Sequence, residues 1–165
     1  MSAGSPILAL LGQKWVQNYG NDVDYLHFHN YLEIGYCYGG DGFMVLGEEE
    51  KRFYGGIVTV IPPNYPHTTN SDIGTVSKWE YLFIDVEGFM KKFLDNPVKA
   101  EKVIQRIYSR ALFFEEKENL SISKKIHKIL DIMRDGEEFF SGGSKGSACG
   151  TSGRNCPVKQ RFRRG

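Results

Sequence analysis

Three of the four histidines of this chain, His27, His29 and His67, lie in a stretch rich in strand-forming residues, and Glu33 follows His29 closely in "YLHFHNYLEIGYCYGG". Side chains of an extended strand alternate between its two faces. The spacing therefore puts His27 and His29 on one face, with Glu33 on that face too if the strand runs unbroken. A barrel that closes such strands can bring His67 against them from a distant strand. Three imidazoles and a carboxylate are a donor set suited to divalent iron, manganese, nickel or zinc with coordination positions left open. The same four groups can equally hold a polar effector or hydrogen-bond one another at a barrel mouth. The residues alone leave these readings open.

Tyr25, Phe28, Tyr31, Tyr36, Tyr38, Trp79 and Tyr81 surround this set in sequence and offer rings that stack on a sugar face. Alternate strand residues must also fill a core, so about half of them can line a pocket. His127 is expected on the solvated face of a helix. "GGDG" at Gly39–Gly42 reads as a hairpin turn, because no helix follows to bind phosphate.

The elements that must position these groups are short strands. From about Trp15 to Val86, Tyr, Phe, Val and Ile are interrupted by Gly, Asn, Asp and Pro at short intervals, which predicts an all-β sandwich or barrel. "LEIGYCY", "FMVLG", "KRFYGG", "IVTVIPP" and "SKWEYLFIDV" are expected strands, with a polar loop over Thr68 to Val76. Helical periodicity follows in "EGFMKKFLDN", in "PVKAEKVIQRI" with Pro97 in its first turn, and in "SISKKIHKILDIMRDG", which Gly136 is expected to stop. Ile122, Ile126, Ile129, Leu130 and Met133 form one apolar stripe on the last helix. Part of that stripe is expected to pack on the domain and part to form a dimer seam.

The chain has 165 residues, 41% hydrophobic and 25% charged, about one globular domain. Three cysteines, Cys37, Cys149 and Cys156, give neither a disulfide framework nor a zinc knuckle. No run approaches the ~20 apolar residues of a bilayer span and no basic region precedes the first apolar stretch, so a cytoplasmic protein is expected. The formal net charge of +1 hides a division: six of the 21 basic residues and no acid lie in Ser141–Gly165, leaving Met1–Phe140 with 15 basic against 20 acidic residues, a net −5. The folded part is not itself a nucleic-acid surface. The tail is rich in Gly and Ser and is expected to be disordered.

The spacing His27-x-His29-x3-Glu33-x6-Gly40 resembles the first cupin motif, and Gly56-x5-Pro62-x4-His67 resembles the second. Asn64 stands where the second motif usually has glycine, and Ser71 where it usually has asparagine. The match implies a mainly β, jelly-roll (double-stranded β-helix) barrel. From about Gln13 to Phe140, the succession "HFHNYLEIGYCYGGDGFMVLG", "YGGIVTVIPPNYPHT", "WEYLFIDVEGFM" and then helices is similar to the N-terminal effector-binding and dimerisation domain of AraC-type transcription regulators. The resemblance implies a barrel over residues 1–86, a helical dimerisation extension over 87–140, and two or three helices in all. It further implies a small effector, a carbohydrate in the first instance, with His27, His29, Glu33, His67, Tyr31, Trp79 and Tyr81 as candidate contacts.

A separate helix-turn-helix domain reads DNA in such regulators. After Phe140 only 25 residues follow, so that half is expected to be missing, and a shifted reading frame would account for the abrupt change of composition. A sensor without catalytic residues and without a cofactor is thus expected. The competing class is a small metal-dependent cupin enzyme, an isomerase or dioxygenase, using His27, His29, Glu33 and His67 on iron or manganese. The helical extension favours the sensor.

Overall fold

The computed structural model describes residues 7–12, 25–142 and 160–163. They form strands β1 (Ile7–Leu10), β2 (Tyr25–Phe28), β3 (Leu32–Gly39), β4 (Gly42–Leu46), β5 (Glu49–Phe53), β6 (Ile57–Ile61), β7 (His67–Ser71), β8 (Lys78–Ile84), β9 (Leu112–Glu115) and β10 (Gln160–Arg163). Helices α1 (Val86–Phe93) and α2 (Pro97–Tyr108) join β8 to β9, and α3 (Leu120–Gly142) follows a 3-10 turn at Glu116–Asn119. The strands pair antiparallel into two five-stranded sheets, β1-β8-β3-β6-β9 and β10-β2-β7-β4-β5. From β3 to β8 the chain passes repeatedly from one sheet to the other. This is the cupin-like jelly-roll barrel followed by helices that the motifs imply.

Two strands explain how the barrel holds both a site and a helix. Along β3 and β8, Glu33, Gly35 and Cys37 stand opposite Phe83, Tyr81 and Trp79. Cys37 and the three aromatic side chains belong to the barrel interior with Leu10, Met44, Leu46, Phe53, Ile57 and Ile61. The alternate residues Tyr36 and Leu82 face outward, where with Ala9, Leu11 and Val58 they form a second core under Ile126 and Leu130 of α3. One sheet with an apolar side chain on either face thus serves two cores.

Local signals set the helix starts. The Asp85 carboxylate accepts from the Gly88 amide and Asn96 accepts from the Lys99 amide, with Pro97 in the first turn of α2. Gly136 does not stop α3, which runs on to Gly142; one interior glycine costs only about 1 kcal/mol relative to alanine. The expected loop over Thr68 to Val76 is also corrected, since its first part belongs to β7, where Thr68, Thr69, Asn70 and Ser71 are buried. β7 lies between β2 and β4, pairing with β4 along its whole length and with β2 at His67, so its backbone has partners although its side chains are polar. Of the tail expected to be disordered, Gln160–Arg163 pairs with β2 and Ser141 and Gly142 close α3; the rest lies outside the described residues.

Asn64 replaces a motif glycine for a visible reason: its φ is +61°, in the left-handed region that glycine and then asparagine tolerate best. Its amide donates to the His29 carbonyl at 2.7 Å, so this turn holds a site residue in place. Asn64→Gly is expected to lie within about 0.5 kcal/mol of wild type in urea unfolding, and Asn64→Val to cost about 1–2 kcal/mol. Equal losses in both variants would show that the side chain, not the backbone, carries this position.

Candidate functional site

β2 ends at Phe28, and His29 occupies the bend that leads into β3. The unbroken strand carrying His27, His29 and Glu33 is therefore replaced by two elements. Glu33 is fixed by the central strand β3, between Ile61 of β6 and Phe83 of β8. His67 opens β7 opposite Leu46 of β4 and His27 of β2. The bend returns His29 to the same end of the barrel, where its Nε2 lies 2.9 Å from Glu33 Oε2. His67 Nε2 lies 3.5 Å from the same oxygen. His27 packs against the His67 ring, centroids 4.2 Å apart.

The other ring nitrogens settle the tautomers. His29 Nδ1 is 3.0 Å from the Tyr31 carbonyl and His67 Nδ1 is 2.8 Å from the Tyr65 carbonyl. A carbonyl oxygen can only accept, so both Nδ1 atoms carry protons. In the neutral imidazoles both Nε2 lone pairs then face a carboxylate. Such a contact holds only with a proton or a metal cation between the groups. Burial alone would push the Glu33 carboxyl up, but charge on His67 and hydrogen bonds from His29 and His67 hold it well below the usual carboxylate range.

The donor atoms of His29, Glu33 and His67 lie within 4.8 Å of one another, and all three residues are buried. Two imidazoles and a carboxylate, each imidazole oriented by a backbone carbonyl, fit a divalent first-row metal. His27 stands beside this set rather than within it.

The other expected contacts divide. Trp79 and Tyr81 point into the barrel, stacked at 5.7 Å, and Phe83 continues the column until it meets His29 edge-on at 5.1 Å. Tyr31 is partly buried against this interior and supplies its carbonyl to His29. Tyr36 and Tyr38 point outward instead: the Tyr36 hydroxyl donates to Glu116 and the Tyr38 hydroxyl to Glu80. The Tyr25 side chain lies outside the described part. His127 is half-buried rather than fully solvated, packing edge-on against Tyr36 at 4.3 Å with its Nε2 3.2 Å from Glu116.

Sequence reading missed Phe83, Tyr65 and Thr59. Alternation from Tyr81 points to Phe83, whereas a carbonyl contribution such as that of Tyr65 leaves no side-chain signal. Thr59 Oγ1 and Trp79 Nε1 are among the buried side-chain atoms with no hydrogen-bond partner among the described residues, and a ligand or water can satisfy them.

The stripe on α3 also divides. Ile126 is 5% exposed and Leu130 1%, both buried on the outer face of the β1-β8-β3-β6-β9 sheet with Met133 packed beside them. Ile122 and Ile129 are turned away, and Ile132 joins them on the exposed side. No helix among the described residues is long and apolar enough to cross a membrane.

Residues 17–144 match the family model of the AraC-like ligand binding domain. The chain belongs to that family. An AraC-like ligand-binding domain takes a small-molecule effector, and the matched stretch holds strands β2 to β9 and the three helices, with β1 and β10 lying outside it. No curated protein matches this chain. Solved structures similar to the domain include two of oxalate decarboxylase from Bacillus subtilis, one of a tryptophan-to-tyrosine variant and one at pH 4.6, at 16% and 15% identity. Each has a TM-score of 0.34 and covers 59% of this chain, and the AraC-like chain spans 27% of their length.

Proposed function

We propose that this AraC-like domain is the effector-sensing and dimerising part of a cytoplasmic transcription regulator, whose DNA contacts belong to a separate domain. The effector is a small polar molecule of carbohydrate type, held at the end of the barrel where His27, His29, Glu33 and His67 meet. The observation that carries this reading is the aromatic column of Trp79, Tyr81 and Phe83 ending on a buried set of imidazoles and a carboxylate. Stacking faces beside charged hydrogen-bonding groups suit a sugar, which has an apolar ring face and a polar rim. The barrel, roughly residues 1–86, supplies the pocket, and the helices of 87–140 supply the assembly surface.

Calorimetry with a panel of monosaccharides in the presence of a chelator tests the reading. One sugar should bind saturably, and His29→Ala should weaken it about tenfold or more while the domain stays folded, as expected for losing a hydrogen bond within a charged set. Heat of dilution alone across the panel, or an unchanged affinity in His29→Ala, would count against it.

A second reading is favoured by the donor geometry: with each Nδ1 on a backbone carbonyl, a neutral His29 or His67 would present its Nε2 lone pair beside the Glu33 carboxylate. His29, Glu33 and His67 would then hold a divalent metal, with His27 beside it. A bound metal would supply Lewis-acid polarisation of an effector oxygen, or, in a small cupin isomerase or dioxygenase, of a substrate oxygen. Elemental analysis of protein purified without chelator decides between a loaded and an empty set.

For assembly, the exposed face of α3 is the candidate seam. Ile122, Ile129 and Ile132 form it, and a self-complementary contact about a twofold axis would bury them.

A further inference from the structure

Glu80 lies on β8 between Trp79 and Tyr81, but it faces the opposite way, into the seam between the barrel and α3. It is 5% exposed, and its two oxygens are shared among three elements. Oε1 accepts the amide of Gly12, two residues past the end of β1, at 2.9 Å. Oε2 accepts the Tyr38 hydroxyl of β3 at 2.6 Å and Arg134 Nη2 of α3 at 2.8 Å. Arg134 also reaches Asp131 on its own helix at 2.7 Å, which fixes the guanidinium toward the seam. A buried carboxylate is stable only while these donors stay in place.

We infer that Glu80 is a positioning residue that locks the exit of β1 to α3, so that displacing either element releases the other. The coupling follows from charge. Without Arg134 the carboxylate has no cationic partner among the described residues and turns out toward water, which takes Oε1 away from Gly12. Without the Gly12 amide the carboxylate loses a donor and its hold on Arg134 loosens.

β1 is also tied to the interior, because Leu10 pairs with Tyr81 and belongs to the same core as the aromatic column. A ligand that shifts β1 from inside the barrel is therefore felt at α3, the helix with the exposed isoleucine face. The regulatory use of the joint rests on the effector reading above; the joint itself does not, and its test uses protein with no ligand.

Amide hydrogen exchange on the full chain, comparing wild type with Arg134→Leu and Tyr38→Phe, reads the joint. The Gly12 amide should be protected in wild type and should exchange about tenfold faster or more in Arg134→Leu, although Arg134 does not touch Gly12. Tyr38→Phe keeps both charges and should move Gly12 far less. A Gly12 amide unprotected in wild type, or one unchanged in Arg134→Leu while α3 loosens, would overturn the proposal, since β1 and α3 would then be fastened independently. Absence of sugar binding would instead strike the effector reading and leave this result intact.

Discussion

Glu33→Gln is expected to make the domain sensitive to mild acid. In the wild type the Glu33 carboxyl is held well below its ordinary value, so its contribution to stability is complete above about pH 4.5 and is lost only as the pH falls further, toward its folded value. The variant keeps His29 and His67 buried but removes the carboxylate that both Nε2 atoms face. An unfolded imidazole takes up a proton near pH 6.5, whereas a buried one without a counterion resists it. Protons then favour the unfolded chain, and stability falls as the pH drops below about 6.5.

At pH 8 the loss should be that of a hydrogen-bond acceptor, about 1–3 kcal/mol. At pH 5 it should reach roughly 3–5 kcal/mol, the cost of breaking a buried charge pair. Urea unfolding in chelator at pH 5, 6, 7 and 8 measures this, the chelator preventing a cation from substituting for the proton. Parallel stability curves for wild type and Glu33→Gln would show that the histidines do not depend on this carboxylate.

The site was legible where residue type and strand period act together. Glu33 and His67 face one interior because each lies on a central strand, and alternation decides a face once the strand is known. His29 reached the same place by another route, since it lies in a bend that returns it to Glu33 four residues on. The direction of Tyr36 and Tyr38 was legible in principle, because they alternate with Glu33 and Cys37. Which face of β3 looked inward depended on the partner strands.

β7 was not legible. "HTTNS" has no apolar pattern, and its burial comes from neighbours on both sides supplied by distant sequence. The extent of α3 was hidden for another reason: a single interior glycine is a weak stop signal, costing only about 1 kcal/mol relative to alanine. The stripe on α3 was visible as amphipathic, but its periodicity could not say that the barrel's outer face takes Ile126 and Leu130 and leaves Ile122 and Ile129.

That division changes what a charge on α3 should do. Sequence alone suggests that Ile126→Glu yields a folded monomer. In the structure Ile126 lies within a core of Ala9, Leu11, Tyr36, Val58, Leu82 and Leu130, so the variant would put a carboxylate among apolar side chains with no partner. Loss of the buried side chain and desolvation of the new charge together should cost about 4 kcal/mol or more, a large share of the 5–15 kcal/mol typical of a domain. Ile126→Glu should therefore lower the urea midpoint sharply at any protein concentration.

Ile129→Glu is the variant that addresses assembly, because Ile129 is 38% exposed and its replacement leaves the barrel contact untouched. Its stability as an isolated chain should stay within about 0.5 kcal/mol of wild type. If the exposed face seats a second copy, light scattering should show a wild-type dimer at micromolar concentration and an Ile129→Glu monomer, with the wild-type midpoint alone depending on protein concentration. A wild-type monomer would remove the seam altogether. A dimer that survives Ile129→Glu would move it off this face, and an Ile126→Glu protein as stable as wild type would contradict the packing of α3 on the barrel.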